Sequence, residues 1–146
     1  MSTPITLEQL RTFFHRSPFM ADLGVEPVHV EPGRVRTELL VQPRFGQHSG
    51  VVHAGVLVAM VDHTMGSSAQ TLAAAGHHML TVEIKTSLLR GAPGAAGTRL
   101  VCEGWVVKPG RSLSFTEGEV WTEAADGART VLIRASATMM AAASRA

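Results

Sequence analysis

The chain has 146 residues, 45% of them hydrophobic, and a formal net charge of +1 at pH 7. This length can bury one core and is too short for two ordinary domains, so we expect a single domain over residues 1–146. Basic and acidic residues are interspersed, which argues against the broad positive surface of a nucleic-acid-binding protein. The most apolar run, residues 54–61, is far shorter than the roughly twenty residues that a membrane span requires. Because the start lacks a secretory signal and Cys102 is the single cysteine, we expect a cytoplasmic protein.

The first 24 residues predict an N-terminal helical segment. Thr6 and Gln9 have the spacing of a capping box, and apolar residues then recur at helical spacing until Pro18 ends the helix. A turn over residues 19–24 leads into two extended segments, 25–31 and 34–41, that we expect to form a hairpin. Residues 42–52 predict an irregular loop.

A long helix is predicted from His53 to about residue 75, where Gly76 stops it. Strands are then predicted at residues 79–89, 99–107, 112–122 and 129–140, with short turns that favour an antiparallel meander. The Ala-rich end from Ala141 predicts a frayed tail. One long apolar helix together with an antiparallel sheet indicates an α+β fold in which the helix lies across the sheet.

The two faces of the predicted central helix differ in character. The face suited to burial against the sheet consists of Leu57, Met60, Val61, Thr64, Met65, Ser68 and Leu72. The opposite face is a stripe of small residues that contains one acid: Gly55, Ala59, Asp62, Gly66, Ala69 and Ala73. Small side chains let another backbone approach closely, so the stripe predicts a contact surface. An unpaired carboxylate is costly to bury, which makes Asp62 a functional candidate, with a solvated Asp on an exposed face as the alternative.

The start of this helix predicts a second functional element. None of residues 51–53 is a preferred N-cap, so the amides near His53, Ala54 and Gly55 are expected to be free to stabilise an oxyanion, unless Ser49, His48 or water caps them. Asp62 lies eight residues after Ala54, which is about 12 Å along a helix. Groups this far apart cannot act on one carbon. If both are catalytic, the carboxylate must come from a second copy, in a symmetric dimer with two equivalent sites.

The run from Gln47 to Gly55, followed by Asp62, resembles the signature of the hotdog-fold thioesterases of the PaaI-like family. In that family a loop Asn or Gln precedes a Gly and then a His-Gly-Gly segment that opens the central helix, with an acid nine residues after the His. The resemblance covers the chain from about residue 47 onwards and includes a Val-Glu-Ile strand at residues 82–84 and a Gly-Arg-Ser turn at residues 110–112. It implies a hotdog fold, with an antiparallel sheet wrapped around the central helix in a core over residues 25–140.

The resemblance also implies roles for individual residues in hydrolysis of an acyl-CoA thioester. Asp62 would be the nucleophile or general base, and the Ala54 amide would polarise the thioester carbonyl. Gln47 would orient the carbonyl or the attacking water, His53 would hold the loop and helix start, and Thr81 would help to position water. Ala54 stands where Gly is usual, and Gln47 stands where Asn is commoner.

The substrate itself would bring the coenzyme, so no separate cofactor and no metal are expected. The phosphates of CoA need local cations, which Arg90, Lys108 and Arg111 can supply, with Arg134 as a further candidate. Gly50, Gly55 and Ser112 complete the expected substrate contacts. The resemblance implies a homotetramer built as a dimer of dimers, with active sites between subunits. Aryl, hydroxyaryl and aliphatic acyl groups all stay open.

The sequence leaves two other functions open and contains several further residues of interest. A hotdog enoyl-CoA hydratase and a non-catalytic acyl-CoA-binding protein are the alternatives to the thioesterase. The histidines lack a Cys or carboxylate set at ligand spacing, which argues against a metal site. Cys102 is expected to be a small core residue, and Trp105 and Trp121 to pack in the sheet or an interface. The methionines at 79, 139 and 140 are expected to be core residues or a wall of the acyl pocket.

Overall fold

The computed structural model describes residues 4–145. Its helices and strands, in chain order, are α1 (Leu7–Arg16), α2 (Pro18–Leu23), β1 (Glu26–Glu31), β2 (Arg34–Leu40), a short 3-10 turn (Pro43–Phe45), α3 (Ala54–Gln70), β3 (His77–Leu88), β4 (Arg99–Lys108), β5 (Leu113–Glu123) and β6 (Arg129–Ala143).

The six strands form one antiparallel sheet in the order β1-β2-β4-β5-β6-β3. Helix α3 lies across one face of this sheet and contacts β2, β3, β4, β5 and β6. The α+β hotdog arrangement expected from the sequence is confirmed, as is the β4-β5-β6 meander. The order leaves β1 and β3 at the two edges of the sheet, so the backbone groups along the outer side of β3 have no neighbouring strand within the described chain.

Two glycines let α3 approach the middle of the sheet closely. Gly104 on β4 and Gly118 on β5 are paired directly across the two strands, and both are buried. A Cβ at Gly104 would lie 2.8 Å from the backbone nitrogen of Met65, and a Cβ at Gly118 would lie 2.9 Å from side-chain carbons of α3. Any larger residue at Gly104 would therefore push the helix away from the sheet.

The apolar face of α3 is buried against the sheet as predicted, except at one residue. Met60, Val61 and Met65 are completely buried, and Thr64 places its hydroxyl 2.8 Å from that of Thr37 on β2. Leu72 was expected on this face but is 44% exposed. The helix ends at Gln70, before Leu72, so the predicted extension to residue 75 is wrong.

The N-terminal segment confirms one local prediction and corrects another. The Thr6 side chain accepts a hydrogen bond from the Gln9 amide, and the Gln9 side chain accepts one from the Thr6 amide, which is the predicted capping box. The turn predicted at residues 19–24 is instead the helix α2. Pro18 suits the first turn of a helix, and Gly24 ends it with a left-handed φ of 80°.

The end of the chain is more ordered than its composition suggests. The predicted frayed tail from Ala141 is wrong, because residues 141–143 continue β6 and pair with His77 to Met79 at the start of β3. Strand β3 begins two residues earlier than expected, and this extra length gives the alanines a partner. Within residues 4–145, no helix combines the length and the hydropathy that a membrane crossing requires.

Candidate active site

The carboxylate of Asp62 on α3 is held by a hydroxyl from the edge strand β3. Thr81 Oγ1 donates a hydrogen bond of 2.7 Å to Asp62 Oδ1, so the structure brings together two of the residues expected in the site. Asp62 is half-buried. The hydrogen bond fixes one oxygen of the carboxylate and leaves the other available for a reacting group.

A bulge in β3 follows Thr81. Thr81 pairs with Met139 on β6, whereas the next pair joins Glu83 to Thr138, so Val82 is an extra residue without a pairing partner on β6. Bulges re-aim side chains locally, and here the irregularity directly follows the residue that contacts the carboxylate. Thr81 Oγ1 also lies 3.4 Å from Met139 Sδ, which packs behind it.

A cavity of about 320 Å³ opens beside the carboxylate. It is lined by Phe13, Asp62, His63, Gly66, Ser67, Gln70, Met79, Leu80 and Thr81. Helix α1 supplies one wall through Phe13, α3 supplies the floor, and the start of β3 supplies the opposite wall. Met79 lies in this wall, as the sequence allowed, whereas Met139 is buried in the core and Met140 is exposed.

The start of α3 differs from the prediction in one respect. His53 is the N-cap residue, and its Nδ1 accepts a 2.9 Å hydrogen bond from the Gly55 amide, so the expectation that residues 51–53 provide no cap is wrong. An imidazole nitrogen without a proton can accept from a helix amide in the way that a Ser or Asp oxygen does. The His53 amide itself donates to the Phe45 carbonyl. The Ala54 amide has no acceptor among residues 4–145, so it is the free donor at this helix end.

The loop before α3 places Gln47 and Gly50 close to the helix start. The Gln47 amide donates to the Val51 carbonyl, and the Gly50 amide donates to the Gln47 carbonyl, which closes a tight turn. Gly50 has a φ of 83°, a conformation that favours glycine. A second groove runs past this end of the helix and is lined by Phe19, Leu23, Arg44, Phe45, Gly46, His53, Gly55 and Val56.

The small-residue stripe is accessible along most of its length. Gly55 is exposed, Ala59, Gly66 and Ala73 are half-buried like Asp62, and a Cβ at Gly66 would meet no atom within 4 Å. Ala69 is completely buried, so its assignment to the contact surface is wrong. Ala69 lies at the edge of the stripe, about 40° around the helix from its centre and on the side of the buried Met65, so it packs into the core. Ala73 lies beyond Gln70, the last residue of α3, so it is not part of this helix face.

The cationic residues expected to bind the coenzyme form two groups, one near each end of strand β3. Arg90 follows β3 and donates to the Val131 carbonyl, and two residues later the Ala92 carbonyl accepts from Val52, just before α3. Lys108, Arg111 and Ser112 lie at the turn between β4 and β5, where the Ser112 carbonyl accepts from Ala141 beside the start of β3. The twelve residues of β3 separate these ends, which is about 40 Å. Arg134 is engaged elsewhere, since its Nε is 2.8 Å from Glu119.

Cys102 is a core residue, as expected. It is completely buried, and this burial raises the pKa of its thiol to about 12, despite hydrogen bonds to Thr64 and Thr37 that lower it. Trp121 is also buried and donates to Glu123, whereas Trp105 is half-buried under Arg34. Among residues 4–145, no three His, Cys, Asp or Glu side chains cluster as a metal ion would require.

The sequence does not predict five of the cavity residues: Phe13, His63, Ser67, Gln70 and Leu80. His63 directly follows Asp62, but its ring turns toward α1, where it meets Phe14 edge-on at 4.4 Å and stacks on Phe13 at 6.1 Å. Burial lowers the pKa of His63, and the nearby charge of Asp62 raises it by a smaller amount. Only the packing of α1 on α3 reveals these neighbours, and no spacing within one helix could predict it.

Comparisons with known proteins agree with this geometry. The family model of the thioesterase superfamily matches residues 49–138, a range that includes Asp62 and Thr81. A thioesterase family protein from Silicibacter pomeroyi is 32% identical, with 92% of this chain and 96% of that chain covered and a TM-score of 0.84. A search of the curated proteins found no match.

Two more distant structures share the fold. A thioesterase from Haemophilus influenzae is 18% identical, with 97% of this chain and 93% of that chain covered and a TM-score of 0.82. The PaaI protein from the phenylacetic acid degradation operon of E. coli is 12% identical, with 94% and 93% covered and a TM-score of 0.81. The resemblance identified in the sequence is thus confirmed by the family match and by the fold. The chain belongs to the thioesterase superfamily and is a thioester hydrolase.

Proposed function

We propose that this protein hydrolyses acyl-CoA thioesters, with Asp62 of one subunit and the Ala54 amide of another acting on the same carbonyl. The observation that carries the proposal is that the carboxylate is oriented and accessible and that the amide has no acceptor among residues 4–145. The carboxylate lies in a cavity and is oriented by Thr81, and the Ala54 amide is the free donor at the start of the same helix. One group can supply the electron pair and the other can stabilise the oxyanion.

The chemistry follows from these roles. Asp62 either attacks the thioester carbon, to form a mixed anhydride that water then hydrolyses, or takes a proton from a water that attacks instead. In both cases the carbonyl oxygen gains negative charge, which the Ala54 amide and the positive end of the α3 dipole stabilise. The tetrahedral intermediate then collapses and expels CoA as its thiolate. His53 keeps the loop and the helix start in place for this step, and Gln47 orients the carbonyl or the attacking water.

An arrangement between subunits is supported by the edge strand β3. Asp62 and Ala54 are about 12 Å apart along α3, too far to share a carbonyl carbon. Strand β3 carries Thr81 and exposes Leu80, Val82 and Leu88 along an unpaired edge. Long apolar edges of this kind are normally covered by another strand. Antiparallel pairing of two copies through β3 would bring the helix-start end of one subunit toward the opposite end of the other.

The same pairing of subunits would bring together the basic side chains that are expected to bind the phosphates of CoA. Arg90 of one subunit and the Lys108, Arg111 and Ser112 turn of the other would then lie at the same end of the assembly. We expect Arg111→Ala and Arg90→Ala to raise KM for an acyl-CoA but not for the matching acyl-pantetheine, which lacks the phosphates. Equal effects on both substrates would contradict a role in phosphate binding.

Subunit complementation tests the proposal directly. Asp62→Asn removes the carboxylate. Ala54→Pro replaces the amide hydrogen by a ring carbon and should keep the helix, because proline suits the first helical position and His53 already has the extended ψ of 132° that a following proline requires. Each variant alone should fold and lose about a hundredfold or more in kcat.

Mixing the two variants should restore activity. In a hybrid dimer, one of the two sites would contain a wild-type Asp62 and a wild-type Ala54. Random association would therefore recover about a quarter of the wild-type rate. If both residues of a site came from one chain, no mixture could restore activity. Persistent inactivity of a mixture whose exchange is verified by native mass spectrometry would rule out the intersubunit site.

A further inference from the structure

The side chain of His53 forms an unusual cap at the start of α3. Its Nδ1 accepts a 2.9 Å hydrogen bond from the amide of Gly55, the second residue of the helix. The preferred caps, such as Ser and Asn, accept the same bond through an oxygen that does not titrate near neutral pH. An imidazole nitrogen accepts only while it carries no proton. This cap therefore depends on the protonation of the residue that forms it.

The hydrogen bond fixes the tautomer of the His53 ring. Because Nδ1 accepts, the neutral imidazole carries its proton on Nε2. A second proton, added to Nδ1, would place two N–H groups opposite each other at 2.9 Å. The resulting cation would also lie at the positive end of the α3 dipole, which disfavours it. The imidazolium therefore cannot occupy the cap, and the ring must turn away from the helix.

Gly55 provides the space that the ring occupies. A Cβ at Gly55 would lie 3.0 Å from His53 Nδ1 and 3.3 Å from Cε1 of the same ring, closer than ordinary van der Waals contact. His53 is exposed, so a ring that leaves the cap can move into solvent without disturbing the core. Gly55 is thus part of the cap, and a side chain at this position would displace the imidazole.

The cap holds the amide that is proposed to stabilise the oxyanion. On one side of Ala54, the His53 amide donates to the Phe45 carbonyl, and on the other side the Gly55 amide donates to the imidazole. The Ala54 amide lies between these two anchored groups and has no acceptor among residues 4–145. A donor held in place in this way stabilises charge without reorientation during the reaction. Loss of the cap would release one of its two anchors.

The charged groups around His53 do not replace this hydrogen bond. Arg44 lines the same groove but is paired with Asp22 of α2, and α2 otherwise contributes apolar side chains to the groove. His48, on the loop before the helix, is exposed. In the proposed dimer the partner's Asp62 would face this helix start, and its carboxylate would attract an imidazolium that has left the cap. Protonation of His53 would thus disturb both reacting groups.

We propose that His53 is a positioning residue that acts only in its neutral form, so that its protonation switches off the oxyanion donor at Ala54. In the neutral form, Nδ1 holds the first turn of α3 and keeps the Ala54 amide in place. In the acid form, the ring leaves the cap and the oxyanion loses its fixed donor. The inference rests on the proposed function, because it assumes that the Ala54 amide binds the oxyanion. Mild acid should therefore inhibit hydrolysis through the helix start as well as through the carboxylate.

The test follows kcat from about pH 8 to about pH 5, the interval in which histidines change charge. The substrate is the thioester that the wild-type protein hydrolyses fastest among benzoyl-CoA, phenylacetyl-CoA and hexanoyl-CoA. His53→Ala lacks the cap at every pH, and its kcat should be about tenfold lower than that of the wild type at pH 8. The ratio of the two should approach one at pH 5, and the titration of Asp62 cancels in this ratio. A ratio that stays constant over the interval would overturn the proposal.

His53→Asn tests the role of the cap itself. An Asn oxygen can accept from the same amide and does not titrate, so this variant should recover most of the activity lost in His53→Ala. Its kcat should also decrease less than that of the wild type as pH falls. His48→Asn is the matched control, since it removes an exposed histidine five residues earlier and should keep the wild-type profile. The proposal fails if His53→Asn has the wild-type profile or if His48→Asn removes the dependence.

Gly55→Ala should produce the acid form at every pH. The added methyl group displaces the ring from the cap, while alanine favours the helix and should preserve the fold. Its kcat should be close to that of His53→Ala, and the ratio of wild type to Gly55→Ala should approach one in acid in the same way. A Gly55→Ala protein with the kcat and the pH profile of the wild type would show that the ring is not required in the cap.

Measurements without turnover separate this inference from the proposed function. In Asp62→Asn, nitrogen NMR of the His53 ring should show an unprotonated Nδ1 at pH 8, and the Gly55 amide signal should shift as Nδ1 gains its proton. The melting temperature of His53→Ala should lie about 3 °C below that of the wild type at pH 8 and match it at pH 5. If these changes occurred but the wild type hydrolysed no CoA thioester, the proposed function alone would fail. If hydrolysis required Asp62 and the Ala54 amide but the Gly55 signal did not follow His53, this inference alone would fail.

Discussion

Replacement of Gly104 by alanine should destabilise the protein and slow its chemistry together. The added Cβ would lie 2.8 to 2.9 Å from three backbone atoms of Thr64 and Met65, closer than carbon atoms can approach. The helix must move outward by several tenths of an ångström to restore van der Waals contact, because a helical backbone cannot rotate away as a side chain can. Overpacking of this kind costs about 1–3 kcal/mol.

This free-energy change can be measured by urea denaturation at one fixed protein concentration. With a typical dependence of about 2 kcal/mol per molar urea, the midpoint should fall by roughly 0.5 to 1.5 M. Gly118→Ala is the matched control, since two of its three nearest contacts are side-chain carbons of Met65 and Val61 rather than helix backbone, and its effect should be smaller. Asp62 lies two residues from the displaced segment, so we expect kcat of Gly104→Ala to fall about tenfold. An unchanged midpoint in Gly104→Ala would refute the close-approach argument.

Three further predictions concern single residues. Cys102 should resist alkylation at pH 8 until the protein unfolds. Because burial raises the pKa of its thiol from 9.0 to about 12, the free energy of unfolding should decline as pH rises through this interval. A free energy of unfolding that stays constant over this interval in the wild-type protein would contradict the prediction. Partial burial raises the pKa of Glu103, but hydrogen bonding and charge from Arg36, and then Arg34, lower it overall. The free energy of unfolding should therefore decrease as pH falls through and below the ordinary Glu range. In urea midpoints measured from pH 7 to pH 3, Glu103→Gln should show a weaker dependence on pH than the wild-type protein. Thr81→Val should keep the fold but lower kcat about tenfold or more, because the Asp62 carboxylate loses its hydrogen-bond donor. Thr81→Ser keeps the hydroxyl and should keep most of the activity. A wild-type kcat in Thr81→Val would show that the hydrogen bond is dispensable.

Features that depend on local chemistry could be predicted from the sequence. The capping box at Thr6, the burial of Met60 and Val61, and the short connections of the meander all follow from residue type and spacing along one segment. The resemblance around Gln47 to Gly55 also predicted the hotdog fold. These signals lie within a few residues of one another, so no tertiary information was needed to interpret them.

Features that depend on contact between distant segments could not be predicted in this way. The frayed tail was wrong because Ala141 to Ala143 take their structure from β3, more than sixty residues away. The sequence does not predict helix α2, because Pro18 both ends α1 and begins the next helix, and the two roles are the same in the sequence. Average N-cap preferences disfavour His53, whereas its φ and ψ in the fold place Nδ1 against the Gly55 amide.

The same distinction applies to the candidate site. Asp62 was found because a lone acid among small and apolar residues is unusual in any helix. Its partner Thr81 was placed by the family resemblance, and the contact depends on the pairing of β3 with β6. Ser67 and His63 could not be recognised as cavity residues, because the cavity is formed by the packing of separate segments.

The contribution of Phe13 to the cavity has a consequence for how this protein could change over evolution. The groups that break the thioester bond belong to the long helix and the sheet, whereas one wall around the acyl group belongs to a short leading helix that makes no backbone pairing with the sheet. Exchanging residues in that leading helix could reshape the preferred substrate while the reaction machinery is left intact. Libraries restricted to Phe13 and the other exposed positions of α1, with the buried Leu10 and Phe14 kept, should therefore yield altered acyl selectivity at little loss of folding.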